Sequence, residues 1–141
     1  MRGSPEFDGL IQETFDYLLS GARGALEQGA SYIPFGAAVR IGGQRLHMNL
    51  DPAVHAKTAE EQIAGLVAAL RSDPGLTCAG LCFDGAVGLE SGESVSAVCM
   101  HIEVKNGESL EAFVPYLREP GGLVVMQPVF APADPEIFTA R

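Results

Sequence analysis

The first part of the chain has apolar residues at the spacing of an α-helix. Across residues 8–28 they recur at intervals of three and four, with polar residues between them. The stripe consists of Ile11, Phe15, Leu18, Ala22 and Leu26. A stripe of this period places apolar side chains along one side of a helix. The pattern therefore predicts an amphipathic helix that ends at Gly29.

A strict alternation of apolar residues follows and predicts a β-hairpin. The alternating positions are Phe35, Ala37, Val39 and Ile41, then Leu46, Met48 and Leu50. Between them, Gly42-Gly43 supplies the positive φ angles that a tight hairpin turn needs.

A second helix is predicted from its N-terminal signal. Thr58 followed three residues later by Glu61 is the sequence of a capping box. The residues expected on its buried side are Ile63, Leu66, Val67 and Leu70. Asp73-Pro74-Gly75 should end this helix.

The rest of the chain has β character, with strands expected at about 77–89, 94–105, 109–116 and 123–130. We expect Ile137 and Phe138 to attach the C-terminal residues to the body. The predicted order is α-β-β-α-β-β-β-(β), an α+β fold whose antiparallel sheet has five to six strands. Two amphipathic helices are expected on one face of it. Residues 1–7 resemble a vector-encoded tag, and residues 8–141 are expected to form a single domain.

Composition narrows the classes of partner. The 141 residues carry 18 acidic and 9 basic side chains, a formal charge of −9. Nucleic acids and anionic membranes are bound through Lys and Arg, so neither is an expected partner. The negative charge would attract a basic protein partner, and the alternative is that it only keeps the protein soluble. The three cysteines form an odd set without a disulfide framework, which favours a reducing compartment and a cytoplasmic location.

The turn at Asn106-Gly107 determines which residues share a face. A two-residue turn would mix charged and apolar residues on both faces of the two strands. A three-residue turn, with Gly107 in the left-handed conformation, makes one face wholly apolar. The predicted pairs are Ile102 with Leu110, Met100 with Ala112, Val98 with Val114 and His101 with Glu111.

The strand at 77–89 is expected to pair with the strand at 94–105. A four-residue loop at 90–93 would set its register, with Leu81 near Ile102 and Asp84 near Cys99. The outer face already carries the row Cys99, His101 and Glu103 on one strand. It would then hold Cys82, Asp84, Cys99, His101 and Glu111 close together. Four of these residues (Cys82, Cys99, His101 and Glu111) are candidate metal ligands, and a cysteine with His101 is a candidate nucleophile and base. The paired short spacings of zinc sites are absent, however, and the same row is explained by strand alternation on a solvated face. His47 is expected on the outward side of its strand and His55 in the following loop. We predict no cofactor.

Several turn and strand motifs resemble those of a group of small bacterial α+β proteins of uncharacterised activity. In that group a Pro-Phe-Gly strand follows the first helix and a late strand ends in Pro-Tyr. The matching residues here are Pro34, Phe35, Gly36, Pro115 and Tyr116. The resemblance implies a similar fold over most of the chain and supplies no site residues. The element order is also similar to that of roadblock and profilin-like domains.

Three functions remain open at this stage. The favoured one is a non-enzymatic protein-interaction domain that forms a homodimer, because the outer sheet face is partly apolar and lacks a covering layer. Its candidate interface residues are Phe113, Cys99 and Tyr116. The alternatives are a metal-dependent or thiol enzyme built on Cys82, Cys99 and His101, and a small-ligand domain with a pocket between helices and sheet.

Overall fold

The computed structural model describes residues 9–30, 32–49 and 58–138. The described helices and strands are α1 (Gly9–Glu27), β1 (Phe35–Arg40), β2 (Arg45–Asn49), α2 (Ala59–Arg71), β3 (Leu76–Gly88), β4 (Ser94–Val104), β5 (Ser109–Glu119), β6 (Gly122–Val125) and β7 (Val129–Pro132). This confirms the α+β class and the predicted element order. Residues 1–7, Leu50 and His55 lie outside the described residues.

The strands form one antiparallel sheet in the order β2-β1-β3-β4-β5-β6, and β7 pairs with β5. The described sheet has seven strands rather than five or six. The single strand predicted at 123–130 is in fact two short strands. Both lie along the outer edge of β5, β7 beside Leu110–Phe113 and β6 beside Tyr116–Glu119.

The two helices pack on opposite faces of the sheet, so the prediction that both cover one face is wrong. Alternate residues of β3 show this directly. Cys78 and Cys82 belong to the cluster that packs against α1, whereas Ala79 and Leu81 pack against α2. Successive side chains of a strand point to opposite faces. A helical stripe therefore shows that a helix is buried but not on which side of the sheet it lies.

Helix α1 closes its face of the sheet along its whole length. All five residues of its predicted stripe are buried. The helix lies close to β3 at Gly80, where a Cβ atom would come within 2.9 Å of both Leu18 and Thr14. The absence of a side chain at this position allows the close approach.

Helix α2 begins as predicted. The Thr58 side chain accepts a hydrogen bond from the Glu61 N–H, and the Glu61 carboxylate accepts one from the Thr58 N–H, which completes the capping box. Leu66 and Leu70 are buried against β1 and β3.

The predicted register of β4 and β5 is confirmed. His101 pairs with Glu111, and the three predicted apolar pairs are all present. The turn has the predicted three residues, since the Val104 N–H bonds to the carbonyl of Glu108. The left-handed residue is Asn106, with φ 60°, rather than Gly107. The β1–β2 hairpin also forms as predicted, with Gly42 at φ 99° and Gly43 at φ 94°.

The expected register of β3 against β4 is wrong by one residue. Leu81 pairs with His101, and Cys82 pairs with Met100. The β3–β4 turn is shorter than assumed, because the Leu89 N–H already bonds to the Glu93 carbonyl. A shift of one residue moves every side chain of β3 to the other face.

The last described residues pack onto the body as expected. Ile137 is 2% exposed and lies in the cluster between α2 and the sheet. No described helix is long and apolar enough to cross a membrane.

Candidate functional site

The residues proposed as metal ligands or nucleophile do not converge. Cys82 lies on the α1 face, with its sulfur 4.0 Å from the carbonyl oxygen of Leu18. Cys99 lies on the opposite face, beside Phe83 and Phe113. In the described part of the chain, no three His, Cys, Asp or Glu side chains are grouped to hold a metal ion. The sequence-based site depended on the β3–β4 register that the structure corrects.

The environments of the thiols also disfavour a nucleophilic role. Burial, together with the negative charges of Asp84 and Glu111, raises the pKa of Cys99 to about 11. Burial raises the pKa of Cys82 as well. The thiolate is the reactive form of cysteine, and these shifts keep both side chains protonated at neutral pH.

On the α2 face, the side chains of His101 and Glu103 form a buried hydrogen-bonded pair. These residues are two apart in β4, so their side chains leave the same side of the strand. Nε2 of His101 lies 2.5 Å from Oε2 of Glu103. The residues are 6% and 0% exposed, so the pair is almost completely shielded from solvent. Nδ1 of His101 is buried and has no hydrogen-bond partner among the described residues.

The carboxylate of Glu103 binds the end of the described chain. Oε2 accepts hydrogen bonds from the N–H groups of Glu136 and Ile137 at 2.6 and 2.9 Å, and Oε1 accepts one from Phe138 at 2.9 Å. We call residues 133–138 the C-terminal segment. A row of backbone N–H groups that surrounds an anion is the arrangement of an anion-binding nest.

The pKa values of the pair are displaced in opposite directions. Burial alone would raise the pKa of Glu103, but the hydrogen bonds from His101 and the three N–H groups lower it to about 2. Burial would lower the pKa of His101, yet the hydrogen bond and charge of Glu103, with the charges of Glu136 and Glu111, raise it above its ordinary value. The geometry thus stabilises a carboxylate beside an imidazolium.

Sequence reasoning placed Glu103 on a solvated face and missed this role. His101 and Glu103 were identified as a row, and Ile137 was expected to pack. No signal in the sequence connected the carboxylate to backbone groups 33 to 35 residues later.

A second polar cluster lies near the β2 edge of the sheet. Nδ1 of His47 is 2.7 Å from the Tyr17 hydroxyl, and Nε2 is 3.1 Å from Oδ1 of Asn49. The Arg45 guanidinium lies 5.0 Å from the centre of the Tyr17 ring, a cation–π contact. His47 therefore faces α1 rather than the outward side that was expected. These contacts fix the orientation of the Tyr17 and His47 rings.

Of the three interface candidates, only Phe113 lies on a partly exposed surface. Cys99 is 4% exposed, buried beneath its neighbours. Tyr116 is 6% exposed and belongs to the α1 core, with its hydroxyl donating to Asp84 at 2.8 Å. Tyr116 follows Pro115 in β5 and so points to the face opposite Phe113.

An apolar surface surrounds Phe113 on the side of the sheet away from α1. Val129 pairs with Phe113, Val124 pairs with Leu117, and the Met126 N–H bonds to the Pro115 carbonyl. We call these residues the apolar face: Phe113, Pro115, Leu117, Val124, Met126 and Val129. Among the described elements, α2 packs over β1 and β3 and does not reach this part of the sheet, where Pro115 is buried and the other five residues are partly or fully exposed.

A cavity of about 400 Å³ lies between the end of α2, the β4–β5 turn and the C-terminal segment. Its lining combines the apolar side chains of Leu70, Val104 and Ile137 with the charged side chains of Arg71, Lys105 and Asp73. Asp73 is paired with Arg40 at 2.7 Å. Nζ of Lys105 also lies 3.4 Å from the Pro74 carbonyl.

The chain was compared with protein families, curated proteins and solved structures. No protein-family model, curated protein or solved structure matches the chain at a significant level.

Proposed function

We propose that this protein is a non-enzymatic interaction domain that associates with a second copy of itself through the apolar face. The observation that carries the proposal is the clustering of exposed apolar side chains. Seven large hydrophobic residues of the described chain are exposed, and four of them lie on this face: Leu117, Val124, Met126 and Val129. Clusters of this kind mark interaction surfaces more often than scattered apolar residues do.

The position of the face favours a second copy as the occupant. The face lies at the β6–β7 edge of the sheet, where a two-fold axis would bring identical surfaces together. Its six residues carry no charge, and the carboxylates of Glu111 and Glu119 lie beyond its ends on β5. Two copies with a charge of −9 each repel one another elsewhere, so an uncharged surface is where contact costs least.

The proposal is tested by measuring molar mass in solution with Leu117→Glu. The wild type should be a dimer at high micromolar concentration, because apolar surface is removed from water at the contact. Leu117→Glu should weaken association by about 100-fold or more, since a carboxylate would be buried without a partner.

The matched control is Ile41→Glu, which places the same charge on a residue that is 71% exposed at the β1–β2 turn. It should leave the dimer intact. Added salt should strengthen association between two acidic copies, whereas it would weaken binding of a basic partner. A wild type that stays monomeric at high micromolar concentration would refute the proposal.

We also propose a cytoplasmic location. Cys82 and Cys99 are buried thiols that form no disulfide bond. Unpaired buried thiols are typical of proteins in reducing compartments.

A second candidate function is the binding of a small amphipathic anion, favoured by the cavity that Arg71 and Lys105 line. Octanoate is a suitable probe, because its chain matches the apolar lining and its carboxylate matches the two basic side chains. Titration should shift the amide resonances of residues 105–107, and Lys105→Gln should weaken the effect. The control is Arg23→Gln, which removes an equal charge from the exposed surface of α1. Unchanged amide resonances would exclude this function.

A further inference from the structure

Three consecutive backbone N–H groups of the C-terminal segment converge on one buried carboxylate. The groups belong to Glu136, Ile137 and Phe138, and all three distances to Glu103 are 2.9 Å or shorter. A nest of this kind commonly holds a bound anion. Here the anion is a side chain of β4, so the segment is fixed in place by a charge that the protein itself provides.

The other side of the carboxylate is occupied by His101. Glu103 has no exposed surface, and a buried carboxylate is strongly disfavoured unless it is paired and hydrogen-bonded. Nε2 of His101 and the three N–H groups supply those bonds. Removing any of them leaves part of a buried charge uncompensated.

Besides these bonds, the Ala133 N–H donates to the Ser109 carbonyl at 3.1 Å, and Phe138 is partly buried against the cluster that contains Ile137. Asp134, Pro135 and Glu136 are exposed, while Ile137 is buried. Ile137 packs in a cluster with Leu66, Leu70 and Leu81. A segment with few buried apolar contacts opens at a lower free energy than the core does.

We propose that the C-terminal segment is a lid over the cluster of Leu66, Leu70 and Leu81, and that the Glu103–His101 pair holds this lid closed. Opening withdraws Ile137 and exposes apolar side chains on the same side of the sheet as the apolar face.

The charged groups around His101 determine how the lid responds to pH. Glu103 on β4, Glu111 on β5 and Glu136 in the segment all act on it, and Asp134 lines a shallow pocket with Glu111 and Glu136. The pKa of Glu103 is lowered, so its contribution is complete above its ordinary value of 4.5 and is lost toward about 2. The pKa of His101 is raised, so its contribution is complete below 6.5 and is lost as the pH rises through the raised value. The lid should be held most firmly between these limits.

The test is amide hydrogen exchange, with protection factors at residues 136–138 compared with those at Met100 and Ile102 in β4. In the wild type both sets should be protected between pH 4.5 and 6.5. Glu103→Gln should lower protection at 136–138 by about 10-fold or more, because charged hydrogen bonds are lost, and leave Met100 and Ile102 protected. His101→Gln should produce a smaller loss at the same amides.

Glu111→Gln is the matched control, since it removes a carboxylate from the same face without removing a bond to the segment. It should leave protection at 136–138 unchanged between pH 4.5 and 6.5, because the bonds of Glu103 to His101 and to the segment remain. Equal protection at these amides in Glu103→Gln and the wild type would overturn the proposal, as would unprotected amides in the wild type. If Glu103→Gln does not fold, the proposal is tested by measuring amide exchange of the wild type at several pH values. Protection at 136–138 relative to β4 should fall on both sides of the window, and a constant ratio would overturn the proposal.

Discussion

The two sides of the sheet are built differently. On one side, α1 covers the strands with a continuous apolar layer that includes residues of β1, β3, β4 and β5. On the other side, α2 and the C-terminal segment each cover part of the sheet, and the apolar face occupies another part. We therefore expect the α1 side to provide most of the stability, and the proposed lid and the proposed contact surface both lie on the α2 side.

Helix length accounts for part of this difference. Helix α1 has 19 residues and α2 has 13, which correspond to lengths of roughly 28 and 20 Å. Among the described elements, α2 packs mainly on β1 and β3, toward the β2 end of the strand order. The sheet therefore extends beyond it, and β4 and β5 must be covered by other groups or remain exposed.

The largest expected effect is a difference in the free energy of unfolding between a variant of the α1 core and a variant of the apolar face. Leu18→Ala removes a side chain that is 0% exposed and should lower the free energy of unfolding by about 2–5 kcal/mol, because it leaves a cavity. Leu117→Ala truncates a side chain that is 38% exposed and should cost less than about 1 kcal/mol. Urea denaturation at low protein concentration measures both. Similar losses in the two variants would contradict the comparison.

The buried Glu103–His101 pair should make the free energy of unfolding depend on pH in the acidic range. The pKa of Glu103 falls from 4.5 to about 2 on folding, which is equivalent to about 3 kcal/mol. Because the folded pKa is the lower one, this contribution should be lost as the pH falls from 4.5 to about 2. Urea denaturation at several pH values measures it. Glu103→Gln should show a shallower acid dependence, and an unchanged slope would argue against the pair.

The close packing of α1 on β3 should make Gly80→Ala costly. A Cβ at this position would meet Leu18 and Thr14 at 2.9 Å, and overpacking of this kind costs about 1–3 kcal/mol. Gly88→Ala is a control in the same strand, where a Cβ would meet nothing within 4 Å. Thermal unfolding of both variants should show a loss only for Gly80→Ala.

The smallest effect concerns the shorter helix. Thr58→Ala removes the side chain that caps α2 and should cost about 1 kcal/mol. Amides of α2 should lose more exchange protection than those of α1, because α2 has three buried side chains and α1 has six. A uniform loss in both helices would mean that the two sides of the sheet open together.

Features that depend on neighbouring residues were predictable from the sequence. The stripe of α1, the Thr58–Glu61 capping box and the Gly42-Gly43 hairpin all appear as expected. The register of β4 and β5 was predictable too. Only one turn length kept charged residues away from the side of these strands that packs against α1.

The β3–β4 register shows where such reasoning fails. Nothing near the turn distinguished a loop of three residues from one of four, and burial did not decide because apolar residues occupy both faces of β3. The error moved Cys82 to the same face as Cys99 and His101. In the observed register Cys82 is removed from the candidate site, and only Cys99, His101 and Glu111 remain on one face.

The sequence by itself determined the α+β class, the element order and most of the residues that the helices bury, because helical and strand periodicity and capping are local properties. Ile63 and Val67 were also expected on the buried side of α2 and are only partly buried, whereas Thr14 and Gln62 are buried and were not predicted. Only the tertiary structure decided that the helices lie on opposite faces and that Glu103 is buried rather than solvated. A periodic stripe carries no information about which side of a sheet it will meet. The donors that stabilise Glu103 are backbone groups, which every residue possesses, so no pattern of side chains could indicate them.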